Sequence, residues 1–289
     1  MEQIGLLHDG QIYDLQTAEA LNIKGDIIKA DDSKESLEIL RHSCAHMMAQ
    51  AIKELYPEAK FFVGPVVKEG FYYDFKVESK ISDEDLPAIE KKMKEIADRK
   101  LPITRHETTK EEFYEKFKND ELKQAVLKNI KDDTLTIYKQ GDFEDLCRGP
   151  HLPNTRMIRS FKLTRVAGAY LGGDEKNEMI TRIYGIAFFD KQALFDYTKM
   201  IEEAKKRDHR KLGTELELFT FNDDVGAGLP MWLPNGARLR SKLEHLLYKA
   251  HRVRGYEPVR GPEILKSEMW KISGHYANYK ENMYFTTID

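Results

Sequence analysis

Two pairs of residues stand out for the chemistry they could do. His42 and His46 lie four apart in RHSCAHMMAQ, and Cys147 and His151 lie four apart in DLCRGPHLPN. On a helix the first spacing puts both imidazoles on one face, about 40° apart around the axis. The second pair falls where Gly149 and two prolines forbid a regular helix, so a tight loop could bring thiol and imidazole together. Three imidazoles and a thiol match the ligand types and number of a tetrahedral zinc site. The same four groups could equally bind a polar substrate and orient a water without metal. Each pair alone has an ordinary explanation. Two histidines at this spacing often mark a solvated helix face, and a lone cysteine is most often a small buried hydrophobe. Their coincidence in one chain favours a functional cluster.

Further polar groups sit beside these pairs. Asp145 precedes Cys147 by two residues and could orient an imidazole or a substrate amine. Tyr73, in GFYYDF, offers a phenolic hydroxyl. Lys123 lies in a highly charged helical stretch, where a solvated surface lysine is the default. No GxSxG elbow, Walker loop or GxGxxG occurs, so no phosphate cradle is expected. Basic residues cluster at Arg156, Arg159, Lys162 and Arg165, from Lys205 to Lys211, and along 238–254. The first two groups could contact phosphate, although such charges are more commonly just solvated.

The elements that must position these groups follow from periodicity and punctuation. Residues 1–30 read as a short β-rich piece with a turn at Asp9-Gly10, too short for a domain of its own. A helix is expected from Asp32, capped by Asp32 with Glu35, and ending before Pro57. Its apolar stripe is Leu37, Leu40, Cys44, Met47, Met48, Ala51, Ile52 and Leu55, roughly 160° from the histidine face. Ala45 and Ala49 flank the histidines and would let another segment approach closely. Residues 61–75 read as a hairpin, 83–100 as a helix and 110–130 as one or two helices. Strands are expected at 135–138, 161–166 and 179–184, and a charged helix at 190–209. A loop at 222–236 precedes an amphipathic helix at 237–254, whose seam of Leu239, Leu243, Leu246, Ala250 and Val253 is heptad-like. Gly255 is a natural stop for it. A strand at 256–259 runs up to Gly261-Pro262.

The 289 residues carry 46 Lys and Arg against 49 Asp and Glu, with 41% hydrophobic residues. That apolar fraction excludes a disordered polar chain, and the length allows about two domains. A net charge of −3 argues against a general nucleic-acid coat protein but leaves room for local RNA docking. Two cysteines exclude a disulfide framework and point to a reducing, cytoplasmic setting. No apolar run approaches the roughly 20 residues of a membrane span, and the N-terminus has no signal core.

RHSCAHMMAQAIKELYP, VGPVVKEGFYYDF, DLCRGPHLPNT, FKLTRVAGAYLGGD and AKKRDHRKLG, in that order, resemble the bacterial threonyl-tRNA synthetases. The resemblance covers nearly everything from about residue 33 onward. HSCAH together with CRGPH is specific. The editing domain of alanyl-tRNA synthetases has a similar set of four, but GFYYDF, RDHRKLGTELELF and GLPMWLPNGARLRSKLE point to the threonyl family. The implied fold class is α+β. It comprises a remnant of a ubiquitin-like domain at 1–30, an editing domain of antiparallel sheet with helices at 31–205, and the incomplete start of a class II antiparallel core at 206–289.

By the same resemblance, the editing domain hydrolyses serine wrongly esterified to tRNA(Thr). His42, His46, Lys123, Cys147 and His151 match its catalytic positions, and Tyr73 and Asp145 match substrate-binding ones. Helix 237–254 and the strand after it match the first class II motif, which builds a homodimer interface. The family joins threonine to tRNA(Thr) with ATP and a synthetic-site zinc. The motifs for both are expected beyond Asp289, so the sequence reads as a fragment that cannot form threonyl-adenylate by itself. Rival expectations are a free-standing aminoacyl-tRNA deacylase, a non-catalytic zinc-binding RNA module, and an inert truncation with an exposed sheet edge.

Overall fold

The computed structural model describes residues 2–128 and 130–286. Met1, Asn129 and residues 287–289 lie outside the described residues, and with them the outer ends of segments 1–30 and 206–289. The chain divides after Glu203 into two compact units.

The first unit opens with β1 (Gln3–His8), β2 (Gln11–Asp14), α1 (Leu15–Ala20) and β3 (Asp26–Lys29), an antiparallel sheet of order β2-β1-β3. Asp9 and Gly10 both take positive φ between the paired ends His8 and Gln11. This is the turn that matches strand twist in a two-residue hairpin, and Asp-Gly supplies it at little strain. Then comes the central helix, α2 (Lys34–Leu55). A larger antiparallel sheet follows from β4 (Lys60–Phe61), β5 (Val66–Val67), β6 (Gly70–Lys76), β10 (Ser160–Tyr170) and β11 (Met179–Phe188), with β5 folded onto β6. Between β6 and β10 the chain forms α3 (Leu86–Asp98), β7 (Ile103–Thr109), α4 (Lys110–Lys116), α5 (Glu121–Lys128), β8 (Thr134–Gln140) and β9 (Phe143–Leu146). β7, β8 and β9 make a third antiparallel sheet. α6 (Lys191–Lys206) carries the chain across the division.

α2 has little free surface. One side packs on β6, β11 and α3, and the other meets β1, β3 and the chain leaving β9. Ile39, Leu40, Cys44, Met47, Met48, Ala51 and Ile52 are fully buried, and so are Ala45 and Ala49 on the histidine side. The small alanines permit the close approach expected of them. The solvated histidine face is not realised, because His46 is buried and His42 nearly so. Ile4 of β1 belongs to the same apolar core as α2 and β6, so the first thirty residues pack into that core.

The second unit holds α7 (His209–Glu215), a short hairpin of β12 (Phe219–Thr220) and β13 (Met231–Trp232), α8 (Pro234–Arg252), α9 (Ser267–Ile272) and α10 (His275–Tyr279). Leu239, Leu243, Leu246 and Val253 of α8 are exposed.

Several boundaries differ from the sequence reading. α2 starts after Ser33, whose side chain makes no cap bond; Asp32 instead accepts the backbone N–H groups of Phe189 and Asp190 at 2.7 and 3.4 Å. The charged helix at 190–209 is two helices, because Asp208 caps a new one by accepting Arg210 N–H at 2.8 Å. α8 begins three residues early, with Pro234 at its first turn, where a missing N–H costs nothing. Residues 256–259 form no strand. Tyr256 and Val259 are exposed, and among the described residues no strand offers them a ladder.

Shared burial makes a direct prediction. Ile4→Ala removes a fully buried side chain and should cost about 2–5 kcal/mol. In urea, amide hydrogen exchange across the first unit should show one transition shifted as a whole. A separate early transition for the N-terminal sheet would contradict a common core.

Candidate functional site

The four groups singled out by spacing come together. One ligand atom from each of His42, His46, Cys147 and His151 lies within 4.8 Å of the others. Two turns of α2 supply the first pair. Cys147 extends β9 by one more backbone bond, its N–H donating to the Thr136 carbonyl at 3.1 Å. The chain then turns at Gly149, whose φ of 77° falls in the left-handed region, and returns with His151. The Cys147 Sγ sits 3.1 Å from His42 Nε2 and 3.2 Å from His151 Nε2. The His151 ring lies 4.4 Å from that of His42 and 4.3 Å from that of His46.

Ser43 settles the tautomer of His151. Its hydroxyl donates to the Ile39 carbonyl at 2.9 Å, so Oγ can only accept from elsewhere. It accepts Leu152 N–H at 2.8 Å and lies 3.2 Å from His151 Nδ1, which must therefore carry the proton. His151 Nε2 is left with a lone pair facing the thiol.

Burial sets the charge state. It holds His42 at about 4, against the opposing pull of the Pro150 carbonyl and the Asp14 carboxylate. His46 and His151 are likewise held well below the usual imidazole range by burial, with neighbouring imidazoles and, for His46, Lys123 adding to it. Burial also pushes the Cys147 thiol far up, despite the Gly149 N–H that donates to Sγ at 3.2 Å. At neutral pH the cluster is uncharged, with one S–H proton between two Nε2 lone pairs.

Lys123, Asp145 and Tyr73 form the second half of the site. Lys123 is not a solvated lysine: it is 4% exposed, and its Nζ donates to one Asp145 oxygen while the Tyr73 hydroxyl donates to the other. Asp120 accepts the N–H groups of Leu122 and Lys123 at 3.1 Å, fixing the first turn of α5 that delivers Lys123. Burial lowers the Lys123 amine to about 8 and raises the Asp145 carboxyl, the latter against a 2.7 Å bond from Leu146 N–H. A cleft of about 500 Å³ reaches Lys123 and Asp145, and a smaller one of about 180 Å³ reaches Cys147.

All seven residues picked from sequence therefore lie around one locus. Three that hold them in place were not picked. Ser43 anchors His151, Asp14 accepts the His151 backbone N–H at 3.0 Å, and the Tyr138 ring packs 4.4 Å from the His151 ring. Ser43 sits inside the HSCAH motif and was within reach. Tyr138 was legible only as a strand residue, and Asp14 carried no signal.

A thiol and three imidazoles within this spread are a donor set that fits zinc, with Cys147 deprotonated on binding. The same neutral cluster can accept hydrogen bonds from a hydroxyl, an amine or a water.

Comparison with known proteins shows what the chain is similar to. Residues 135–184 match the second additional domain of threonyl and alanyl tRNA synthetases, a span that includes Asp145, Cys147 and His151. The chain is 69% identical over 288 residues to a threonine–tRNA ligase of Campylobacter jejuni, covering all of this chain and 48% of that protein. The chain is similar along its whole length to threonine–tRNA ligases. Threonine–tRNA ligases of Helicobacter hepaticus, 67% identical over 288 residues, and Nautilia profundicola, 67% over 287, are matched across 48% and 47% of their lengths. The chain thus spans about half the length of the threonine–tRNA ligases it matches. Among the described residues no helix is long and apolar enough to cross a membrane.

The depressed imidazoles fix the sign of a pH effect. Between pH 6.5 and the lower native values, the unfolded chain binds protons that the folded chain refuses, so stability falls as pH drops through 6.5. His46 and His151 each contribute up to about 1.4 kcal/mol per pH unit, and the raised Asp145 opposes them with a single group. Urea midpoints between pH 7.5 and 5.5 should fall for the wild type and fall less for His151→Gln. Equal slopes would remove the imidazoles as the cause.

Proposed function

We propose that this chain carries an editing site that hydrolyses serine from mischarged seryl-tRNA(Thr). The observation that carries the reading is the convergence of His42, His46, Cys147 and His151 beside the buried Lys123–Asp145–Tyr73 group. Threonine and serine differ by one methyl, which supports only about 1–3 kcal/mol of discrimination, or 10–200-fold, in a binding pocket. Protein synthesis needs more, and a second, hydrolytic sieve supplies it.

Ester hydrolysis needs a positioned water, a proton acceptor and stabilisation of the oxyanion. His42 and His46, uncharged at neutral pH, hold a water or the terminal ribose hydroxyl. Lys123, with its amine near 8, is the group best matched to polarise the carbonyl or take the water's proton. Cys147, His151 and Asp145 bind the seryl hydroxyl and amine, and Tyr73 holds the Asp145 carboxyl in register. Residues 31–205 form the editing domain on this reading, with 1–30 packed against it. Residues 206–289 begin a class II core, and the exposed leucines of α8 are its dimer-forming surface. ATP-dependent joining of threonine to tRNA(Thr), with its own zinc, is assigned to the longer cytoplasmic protein.

The donor set favours one second reading, a zinc-binding RNA module that uses His42, His46, Cys147 and His151 as ligands without hydrolysis. One experiment separates the two. Purified chain should release serine from seryl-tRNA(Thr) and spare threonyl-tRNA(Thr), and His42→Ala, Cys147→Ala and Lys123→Met should each lower kcat by about 10²–10⁴-fold. Stoichiometric zinc with no serine release would replace editing with the module.

A further inference from the structure

We propose that Asp14, at the end of β2, is a positioning residue for the editing reaction: its carboxylate clamps the loop that presents His151 to Cys147. The proposal rests on the ester-hydrolysis reading and assigns part of that site to the N-terminal sheet.

Capping α1 needs only one oxygen, and Oδ1 does that by accepting Thr17 N–H at 2.7 Å. Oδ2 is directed elsewhere. It accepts the Tyr138 hydroxyl at 2.6 Å and His151 N–H at 3.0 Å, the latter across 137 residues of chain. Asp14 is only 2% exposed, so these bonds have no water to replace them. The loop runs too close to this clamp for a side chain at Gly149. A Cβ at Gly149 would lie 2.8 Å from Asp14 Oδ2 and 2.6 Å from the Tyr138 oxygen. His151 is thus held from two directions. Ser43 fixes its ring through Nδ1, and Asp14 fixes its backbone and the Tyr138 ring packed on it. Nε2 meets the thiol only if both hold.

The test uses the whole chain, with Asp14→Ala, Asp14→Ser and Asp14→Asn compared with Ile4→Val, which loosens the same N-terminal sheet away from the loop. Serine keeps the helix cap but cannot reach His151, whereas asparagine, with its one oxygen turned to the loop, accepts the Tyr138 and His151 bonds and gives up the cap. Two readouts are taken: kcat and KM for seryl-tRNA(Thr) deacylation, and the rate of Cys147 alkylation by iodoacetamide, with buried Cys44 as internal reference.

Asp14→Ala and Asp14→Ser should lower kcat about 10–100-fold with KM within about threefold, and should speed alkylation of Cys147. Asp14→Asn should recover most of the kcat, and Ile4→Val should lower stability alone. Should Asp14→Ala not fold, Asp14→Ser decides. Wild-type kcat and alkylation in Asp14→Ser would overturn the proposal, as would an equal loss of kcat in Ile4→Val. If the wild type releases no serine, the editing reading fails, and the alkylation contrast still decides whether Asp14 clamps the loop.

Discussion

A polar group removed from water must find a partner or lose its charge, and α2 carries a row of such groups. Arg41 donates to the carbonyls of Lys68 and Ala187, Ser43 links Ile39, His151 and Leu152, and Gln50 accepts from Gln140 at 2.6 Å. His42 and His46 stand in the same row and are surrounded mainly by other rings. Their answer to burial is to stay neutral. The chemistry of the site follows, because a neutral imidazole has a lone pair to offer at pH 7 and an imidazolium does not.

The distant partners of His42, Ser43 and Gln50 are delivered by β8, β9 and the chain leaving β9. Alternation puts Asp145 and Cys147 on one face of the hairpin, and the register sets Tyr138 directly opposite Asp145. One short hairpin therefore brings a carboxyl, a thiol and an aromatic ring to α2 at fixed spacing. The turn at Gly141 that joins its strands adopts φ of 62°, which only a residue without Cβ takes easily. Catalytic groups on strands and helices are held more precisely than groups on loops. Cys147 and His151 lie on irregular chain beyond β9, and both are anchored, Cys147 by its N–H on the Thr136 carbonyl and His151 through Asp14, Ser43 and Tyr138.

Sequence made the chemistry more legible than the architecture. Spacing paired His42 with His46 and Cys147 with His151, and it was the coincidence of two such pairs in one chain, not either pair alone, that favoured a functional cluster. It could not report that α2 is buried on two sides. An apolar stripe marks one packing face, and the second face here is made of Ala, Ser and His, which periodicity counts as polar. β7 went unread because Ile103 is the only apolar residue in ITRHETT, and β9 because four residues are too few for a pattern. Lys123 read as solvated because nothing local shows a carboxyl 22 residues away waiting for it. The strand at 256–259 failed for the converse reason. Its local pattern is sound, but a strand is a property of a pair, and among the described residues its ladder partner is missing.

On the proposed editing role, selecting serine over threonine sets a harder requirement than catalysis does. Rejecting the larger amino acid needs a wall that does not yield, since a flexible pocket accommodates one methyl at a cost of about 1–3 kcal/mol. On the His151 side the backbone is pinned at consecutive N–H groups, by Asp14 at His151 and by Ser43 at Leu152. Backbone held at two adjacent points, with glycine contact behind it, can move less than any side chain packed in its place. The N-terminal sheet and α2 therefore contribute rigidity to the loop that carries His151. On the proposed reading, discrimination draws on groups that hold this loop as well as on those that bind the seryl group.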